Sequence, residues 1–386
     1  MHPEERYWLY AADFVGQNMG ESTISTTMRL TGSLEGDLAA PFVSVSDGEA
    51  VALASEHFGL HGSVRRFATE KDDTFMLTTH DGERYTVKVA NPSEPRSVLD
   101  FQIELVNHVN HNDPTLPVPE NFRGLNGAYI SDVLTSAGEK RMMRVMSFLP
   151  GTPRAKTTGN RQQREHTGEL LAKLRHATAT FSHPSDSRIL AWDVSHLLNL
   201  LPLLSYVDDA NHRQMLTYAL RRFSAIEPLI KKGRYQVLHN DFNTSNILIS
   251  DKQPEKVSGI IDFGDAVRTT VAVDVSTALM NQLTQPDASY SNDIFHEARD
   301  ILRGYLRFAD LSEEELELIP HLAMGRVATR ALLTCWRSTL FPENSEYIMR
   351  NTAPGWGHLE WFLAHSMEEV STLLLPSYQS SLRGTE

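Results

Sequence analysis

Residues 47 to 60, DGEAVALASEHFGL, set alanines and leucines at helical spacing behind an acidic start, and Gly59 stops the run. That pattern predicts an amphipathic helix. The apolar period then changes to alternation. SVRRFATE and TFMLTTHDG read as strands, HDGE as a hairpin turn and RYTVKVA as the returning strand. Helical spacing returns in SVLDFQIELVNHVNH, DPTLPVPE is a proline-rich loop, and strands resume in AYISDV and KRMMRVMSFL. After Pro150-Gly151 the pattern is mostly helical: NRQQREHTGELLAKLRHATATF, AWDVSHLLNLLPLLSYV and NHRQMLTYALRRFSAIEPLIKK, then 311–341 and roughly 357–375. One segment interrupts this series. Val237-Leu238 and Ile247-Leu248-Ile249 read as buried strands, yet they enclose the polar HNDFNTSN, and EKVSGIIDFGDA follows as a strand ending in acids. Residues 1–46 show no period and read as an extended N-terminal arm. The chain is therefore predicted to be α+β and two-lobed. A small β-rich lobe of five antiparallel strands and a helix spans 47–149, and a larger, mainly helical lobe spans 150–386.

Composition narrows the function classes. With 386 residues the chain exceeds one compact core. A net charge of −13 disfavours nucleic acid as a partner, because phosphate binding needs a basic face; it is compatible with a cationic substrate. Cys335 is the only cysteine, which excludes an internal disulfide and a multi-cysteine zinc site. No apolar run approaches the roughly 18–20 residues of a membrane span. Glu4, Glu5 and Asp13 break any signal-peptide pattern, so a soluble cytoplasmic protein is expected.

The polar segment carries the chemistry. Asp241 and Asn246 stand five apart, and Asp262 directly follows the apolar run Ser258–Ile261. Phosphoryl transfer needs this arrangement: an aspartate to accept the hydroxyl proton, an asparagine five residues on, and a strand-end aspartate, the last two holding Mg²⁺. A buried network of Asx turns is the alternative reading. The same template asks for a lysine on the third strand of the β-rich lobe, reaching the nucleotide phosphates. Lys88, between Val87 and Val89, is the lone charge on its local face. It also asks for a glutamate on the next helix to pair with that lysine, and Glu104 occupies the helix middle.

With HNDFNTSN and IDFGD the sequence resembles the aminoglycoside phosphotransferase and choline kinase superfamily, whose fold is that of protein kinases. VKVANPSE, LDFQIE, FSHPSDSRILAWDVSHL and FPENSEYI are similar to the hydroxylysine kinase branch, over roughly residues 43–375. No G-x-G-x-x-G is present; Glu70 to Thr74 fill that turn. The resemblance implies a two-lobed protein-kinase-like fold, Mg²⁺, and ATP or GTP as donor, with backbone groups of Met146, Ser147 and Phe148 in VMSFLPG bonding the purine. Asp274, Trp192 and Asp193 match the family and are expected to brace the lobe.

Only about a dozen residues separate Asp262 from the next predicted helix near Val273, too few for a peptide-docking segment. A small-molecule acceptor is expected instead. Arg326, Arg330 and Arg337, spaced by four and seven, share one helix face and are placed to hold a substrate carboxylate away from the reacting phosphoryl group; salt bridges inside the lobe are the alternative. Asp265 would suit an ammonium group. These residues point to a small-molecule kinase acting on a hydroxylated amine or hydroxyamino acid. An aminoglycoside phosphotransferase, a homoserine kinase and a non-catalytic nucleotide-binding regulator are the alternatives.

Overall fold

The computed structural model describes residues 42–69, 71–286 and 293–375. Most of the expected arm lies outside the described residues, but its last positions belong to the first lobe. Val45 is buried and donates its N–H to Asp73 Oδ2 at 3.1 Å, while Arg141 Nη1 bonds the Val43 carbonyl at 3.1 Å. Helix α1, Asp47–Phe58, starts where Ser46 accepts a bond from Glu49 N and stops at Gly59, whose φ of 67° suits a residue without a β-carbon.

The first lobe is an antiparallel sheet of β1 (Gly62–Phe67), β2 (Asp73–Thr79), β3 (Arg84–Val89), β4 (Asn121–Phe122), β5 (Ser131–Leu134) and β6 (Lys140–Ser147). Its order is β1-β2-β3-β6-β4, and β5 also pairs with β6. The sequence pattern gave five strands; the sixth, β4, is a two-residue pairing too short to leave a periodic signal. Alternation buries Phe75, Leu77, Val87, Val89, Met143 and Val145 against α1. The buried Asp73 carboxylate is held between Arg66, 2.5 Å away, and Arg141, 2.8 Å away, which offsets the cost of its desolvation.

Helix α2, Arg96–Asn112, serves both lobes. Leu99 and Ile103 pack beneath the sheet, whereas Phe101, Leu105, Val106 and Val109 join the core of the second lobe. That lobe contains α3 (Arg161–Thr178), α4 (Ala210–Ile230), α5 (Val271–Met280), α6 (Ala298–Leu306) and α7 (Glu313–Leu340). Buried along most of its length, α7 forms the lobe's axis and carries Cys335, whose thiol burial pushes up to about 11. Helices α3 and α6 meet backbone to backbone. A β-carbon on Gly168 would lie 1.9 Å from the Ile301 carbonyl oxygen, and one on Gly304 1.9 Å from that of Glu165. Arg164 to Asp300 at 2.9 Å and Arg303 to Glu165 at 3.1 Å close the edges of this contact.

Two helix expectations need correction. Val194–Tyr206 is a run of 3-10 turns, not an α-helix. Pro202 lacks the N–H of an i→i−4 bond, and its ring crowds the preceding turn. The single helix expected over 357–375 is two, α9 (Ala353–Ala364) and α10 (Met367–Ser371), after a short α8 (Ser345–Met349). Ser366 breaks the run by forming a capping box with Glu369. None of the described helices is long and apolar enough to cross a membrane.

Candidate active site

Two short antiparallel ribbons frame the polar loop. Strand β8 (Tyr235–Leu238) pairs with β11 (Val267–Thr270), and β9 (Ile247–Ile249) lies between β10 (Val257–Ile260) and β7 (Thr152–Pro153). The loop from β8 to β9 carries Asp241 and Asn246, and Asp262 follows β10. Loop shape is enforced from below. Asn240 adopts φ 59°, a conformation that asparagine tolerates, and donates its N–H to Asp274 Oδ1 at 2.7 Å. His239 is buried, and burial lowers its pKa. Its Nδ1 accepts from Asp241 N at 3.3 Å, so the proton sits on Nε2, which donates to the Ile261 carbonyl at 3.1 Å. The neutral imidazole thereby ties the Asp241 loop to the Asp262 turn. Asp274 and Asp193 act as the sequence implied: Asp193 accepts from Ser195 N at 2.9 Å and Thr269 Oγ1 at 3.3 Å.

Asp241 and Asn246 are in direct contact. Asn246 Nδ2 donates to the Asp241 carbonyl at 3.0 Å and to Asp241 Oδ2 at 2.8 Å. Both amide hydrogens are thus committed, and Oδ1 is left as the acceptor that a cation would use. Asp262 has φ 64°, in the left-handed region, where aspartate is tolerated better than most residues. Its Oδ1 lies 3.8 Å from Lys88 Nζ and accepts from Gly264 N at 3.3 Å. Lys88 is the main cause of the lowered Asp262 pKa, so this carboxylate is ionised and able to ligate metal. Among the described residues no three His, Cys, Asp or Glu side chains form a metal site alone. A cation held by Asn246 and Asp262 needs further oxygens from phosphates, which is how Mg²⁺ is commonly bound in nucleotide enzymes.

Asp241 and Asp265 behave differently. Burial raises the Asp241 pKa, with Arg326 and Asn243 pulling against it. Burial, reinforced by Asp241 and Asp262, raises Asp265 to about 6. Arg326 reaches Asp241 itself, its Nη2 standing 3.2 Å from Oδ1, and its guanidinium lies 5.2 Å from the Trp192 ring centre. Trp192 therefore touches site machinery beyond the bracing role expected of it. Arg330, one turn on, donates to Asn281 Oδ1 at 3.1 Å, and burial beside Arg326 lowers its pKa to about 10. Arg337 is buried further along the helix.

One expected placement is not met. Glu104 does not pair with Lys88: its side chain is 61% exposed, and Oε2 lies 3.7 Å from His183 Nε2. The phase of α2 turns Gln102 inward instead, and Gln102 Oε1 accepts from Arg144 Nη2 at 2.7 Å. Arg144 stands directly opposite Lys88 in the β3–β6 register. In the expected hinge, Ser147 N bonds the Glu120 carbonyl at 2.8 Å and Phe148 N that of Arg84 at 3.3 Å. The Phe148 ring lies parallel to Phe67, centroids 6.3 Å apart. Arg188, which the spacing arguments did not single out, bonds the carbonyls of Gly264 and Ala266 on either side of Asp265, the second at 2.9 Å.

A small β-rich lobe over a helical lobe, with an Asp–Asn loop and a strand-end aspartate facing a β3 lysine, defines a kinase-like phosphotransferase. The chain belongs to the phosphotransferase enzyme family, whose model matches residues 63–311. It is 25% identical to hydroxylysine kinase of Mus musculus over 366 residues, which cover 87% of this chain and 95% of that protein. It is 29% identical to homoserine kinase of Xanthobacter autotrophicus over 273 residues, 68% of this chain and 76% of the other. Among solved structures, an amicoumacin kinase in complex with AMP-PNP, Ca²⁺ and Ami aligns with a TM-score of 0.61 at 17% identity, covering 80% of this chain and 94% of that one. The chain is a small-molecule kinase with a hydroxyl group as acceptor.

Proposed function

We propose that this kinase transfers the γ-phosphoryl group of ATP or GTP, with Mg²⁺, to the hydroxyl of a small hydroxyamino acid of the hydroxylysine kind. The observation that carries the acceptor class is Arg326. One of its nitrogens contacts Asp241, while Nη1 is buried without a hydrogen-bond partner among the described residues. A buried, unused guanidinium donor is costly unless a ligand completes it, and a carboxylate is the group that matches its geometry. Arg330 adds a second positive charge close by, and Asp265 supplies a carboxylate for the amine. Choline has no carboxylate to offer this pair.

In this reading Asp241 accepts the proton of the attacking hydroxyl, Lys88 neutralises donor phosphates, and Asn246 and Asp262 hold Mg²⁺, which offsets the charge on the transferred group. The nucleotide lies between lobe 47–149 and lobe 150–386, with Met146, Ser147 and Phe148 along the purine. The homoserine kinase likeness favours a second reading with a shorter acceptor, which would also present a carboxylate and an amine. The test is nucleoside diphosphate release with ATP or GTP and Mg²⁺ across hydroxylysine, homoserine, their decarboxylated analogues, choline and an aminoglycoside. Hydroxyamino acids should stimulate turnover most. Choline or the aminoglycoside outperforming them would overturn the assignment.

A further inference from the structure

On the sheet of the first lobe Lys88 sits between Thr74 of β2 and Arg144 of β6, in register with both. Residues level with one another in an antiparallel sheet project on the same side. Here that side faces away from the core formed by Phe75, Val87 and Val145. Met142, two positions before Arg144, packs on it with Leu99 and Ile103 of α2. Lys88 and Arg144 thus share the face that α2 covers, and like charges level across a ladder repel.

Arg144 is the fixed member of this pair. It is 6% exposed, its Nη2 donates to Gln102 Oε1 of α2 at 2.7 Å, and its Nε is buried without a partner among the described residues. Gln102 is neutral, and among the described residues Arg144 forms no ion pair. Asp72, Asp262 and Glu94 favour its charge from further away, against the cost of burial, and Glu94 is itself paired with Lys71 at 2.7 Å. The helix side of the pocket therefore presents Lys88 with a cation where the phosphoryl-transfer template has a glutamate. Among the described residues the ion pair Lys88 makes is with Asp262, 3.8 Å away in the other lobe. Once Asp262 holds the metal, the donor phosphates are the anions left for the ammonium group.

We infer, on the reading that Lys88 meets the donor phosphates, that Arg144 is a positioning residue for it: seated by Gln102, its charge bars the ammonium group from the helix and directs it to the phosphates. The test is calorimetric titration of the whole protein, with Mg²⁺, by non-hydrolysable ATP and GTP analogues and by the matching nucleosides. Arg144→Met should weaken triphosphate binding roughly tenfold, the scale of a lost charge-assisted contact, and leave nucleoside affinity unchanged. Arg144→Lys keeps the charge but not the fork, so triphosphate affinity should stay near the wild type. Gln102→Glu pairs Arg144 and cancels its charge; triphosphate binding should fall while the melting temperature holds or rises. If Arg144 only braced α2, that variant would bind the triphosphate as well as the wild type. In a Lys88→Met background Arg144→Met should add little, because its effect runs through Lys88; an equal further loss there would overturn the positioning role. Lys88→Met with wild-type triphosphate affinity would overturn the phosphate assignment of Lys88 and this role with it. Binding weakened by Lys88→Met but by neither Arg144→Met nor Gln102→Glu would overturn the role of Arg144 alone.

Discussion

Replacing Arg326 by methionine removes the cation that the structure places 3.2 Å from the Asp241 carboxylate, the proposed base, while keeping much of the side-chain volume. At that distance and an effective dielectric constant of about 20, the charge pair is worth roughly 5 kcal/mol before screening. Truncating one member of a buried pair costs about 3–5 kcal/mol in comparable settings. A loss of about 3–4 kcal/mol in transition-state stabilisation is roughly 200- to 1000-fold in kcat/KM. The partition is diagnostic. Spacing along the helix suggested a carboxylate clamp remote from the chemistry, which would affect acceptor KM alone. Contact with Asp241 means that kcat falls as well. Arg326 also opposes the burial that raises the Asp241 pKa. Without it Asp241 keeps its proton to higher pH. Because the base must be ionised, the acid limb of kcat/KM moves upward. Arg326→Lys keeps the charge and loses the fork, so its acid limb should stay near the wild type while acceptor KM rises. Diphosphate release, measured with varied acceptor between about pH 5 and 9, reads all of these. An Arg326→Met enzyme with unchanged kcat and an overlaid acid limb would refute the reasoning.

Asp241→Asn should lower turnover by roughly 10²- to 10⁴-fold, because an amide cannot take the hydroxyl proton; nucleotide-induced thermal stabilisation should persist. Asn246→Ala and Asp262→Ala should each raise the Mg²⁺ concentration needed for half-maximal activity, and titrations that overlay the wild type would make both residues structural. Gly304→Ala places a β-carbon against the Glu165 carbonyl and should cost about 1–3 kcal/mol or more, read as a lowered Tm with activity per folded molecule retained.

The parts of this architecture written into short sequence intervals were legible. Alternation located β2 and β3 and put Lys88 on the face opposite Val87 and Val89. The five-residue step from Asp241 to Asn246 and the acid after β10 located the polar loop and the strand-end turn that face Lys88, because loop and strand ends set those positions locally. What depends on how elements pack was not legible. Glu104 and Gln102 are two residues apart on α2, and only its packing between the two lobes decides that Gln102 turns inward. Arg326 could be assigned to a helix face, yet its partner lies 85 residues earlier in the chain. The 3-10 run at Val194–Tyr206 is leucine-rich enough to read as an α-helix, and Pro202 was the local warning.

Cys335, buried in α7 with its thiol raised to about 11, has little thiolate at neutral pH and little access to reagents. Since no other cysteine occurs in the chain, the native protein is already a silent background for thiol labelling. Cysteines introduced at the exposed Glu83, in the β2–β3 turn, and Ala225, on α4, would carry fluorophores without first removing a native residue. The distance between the two lobes could then be followed through nucleotide binding, acceptor binding and product release in an otherwise unaltered enzyme.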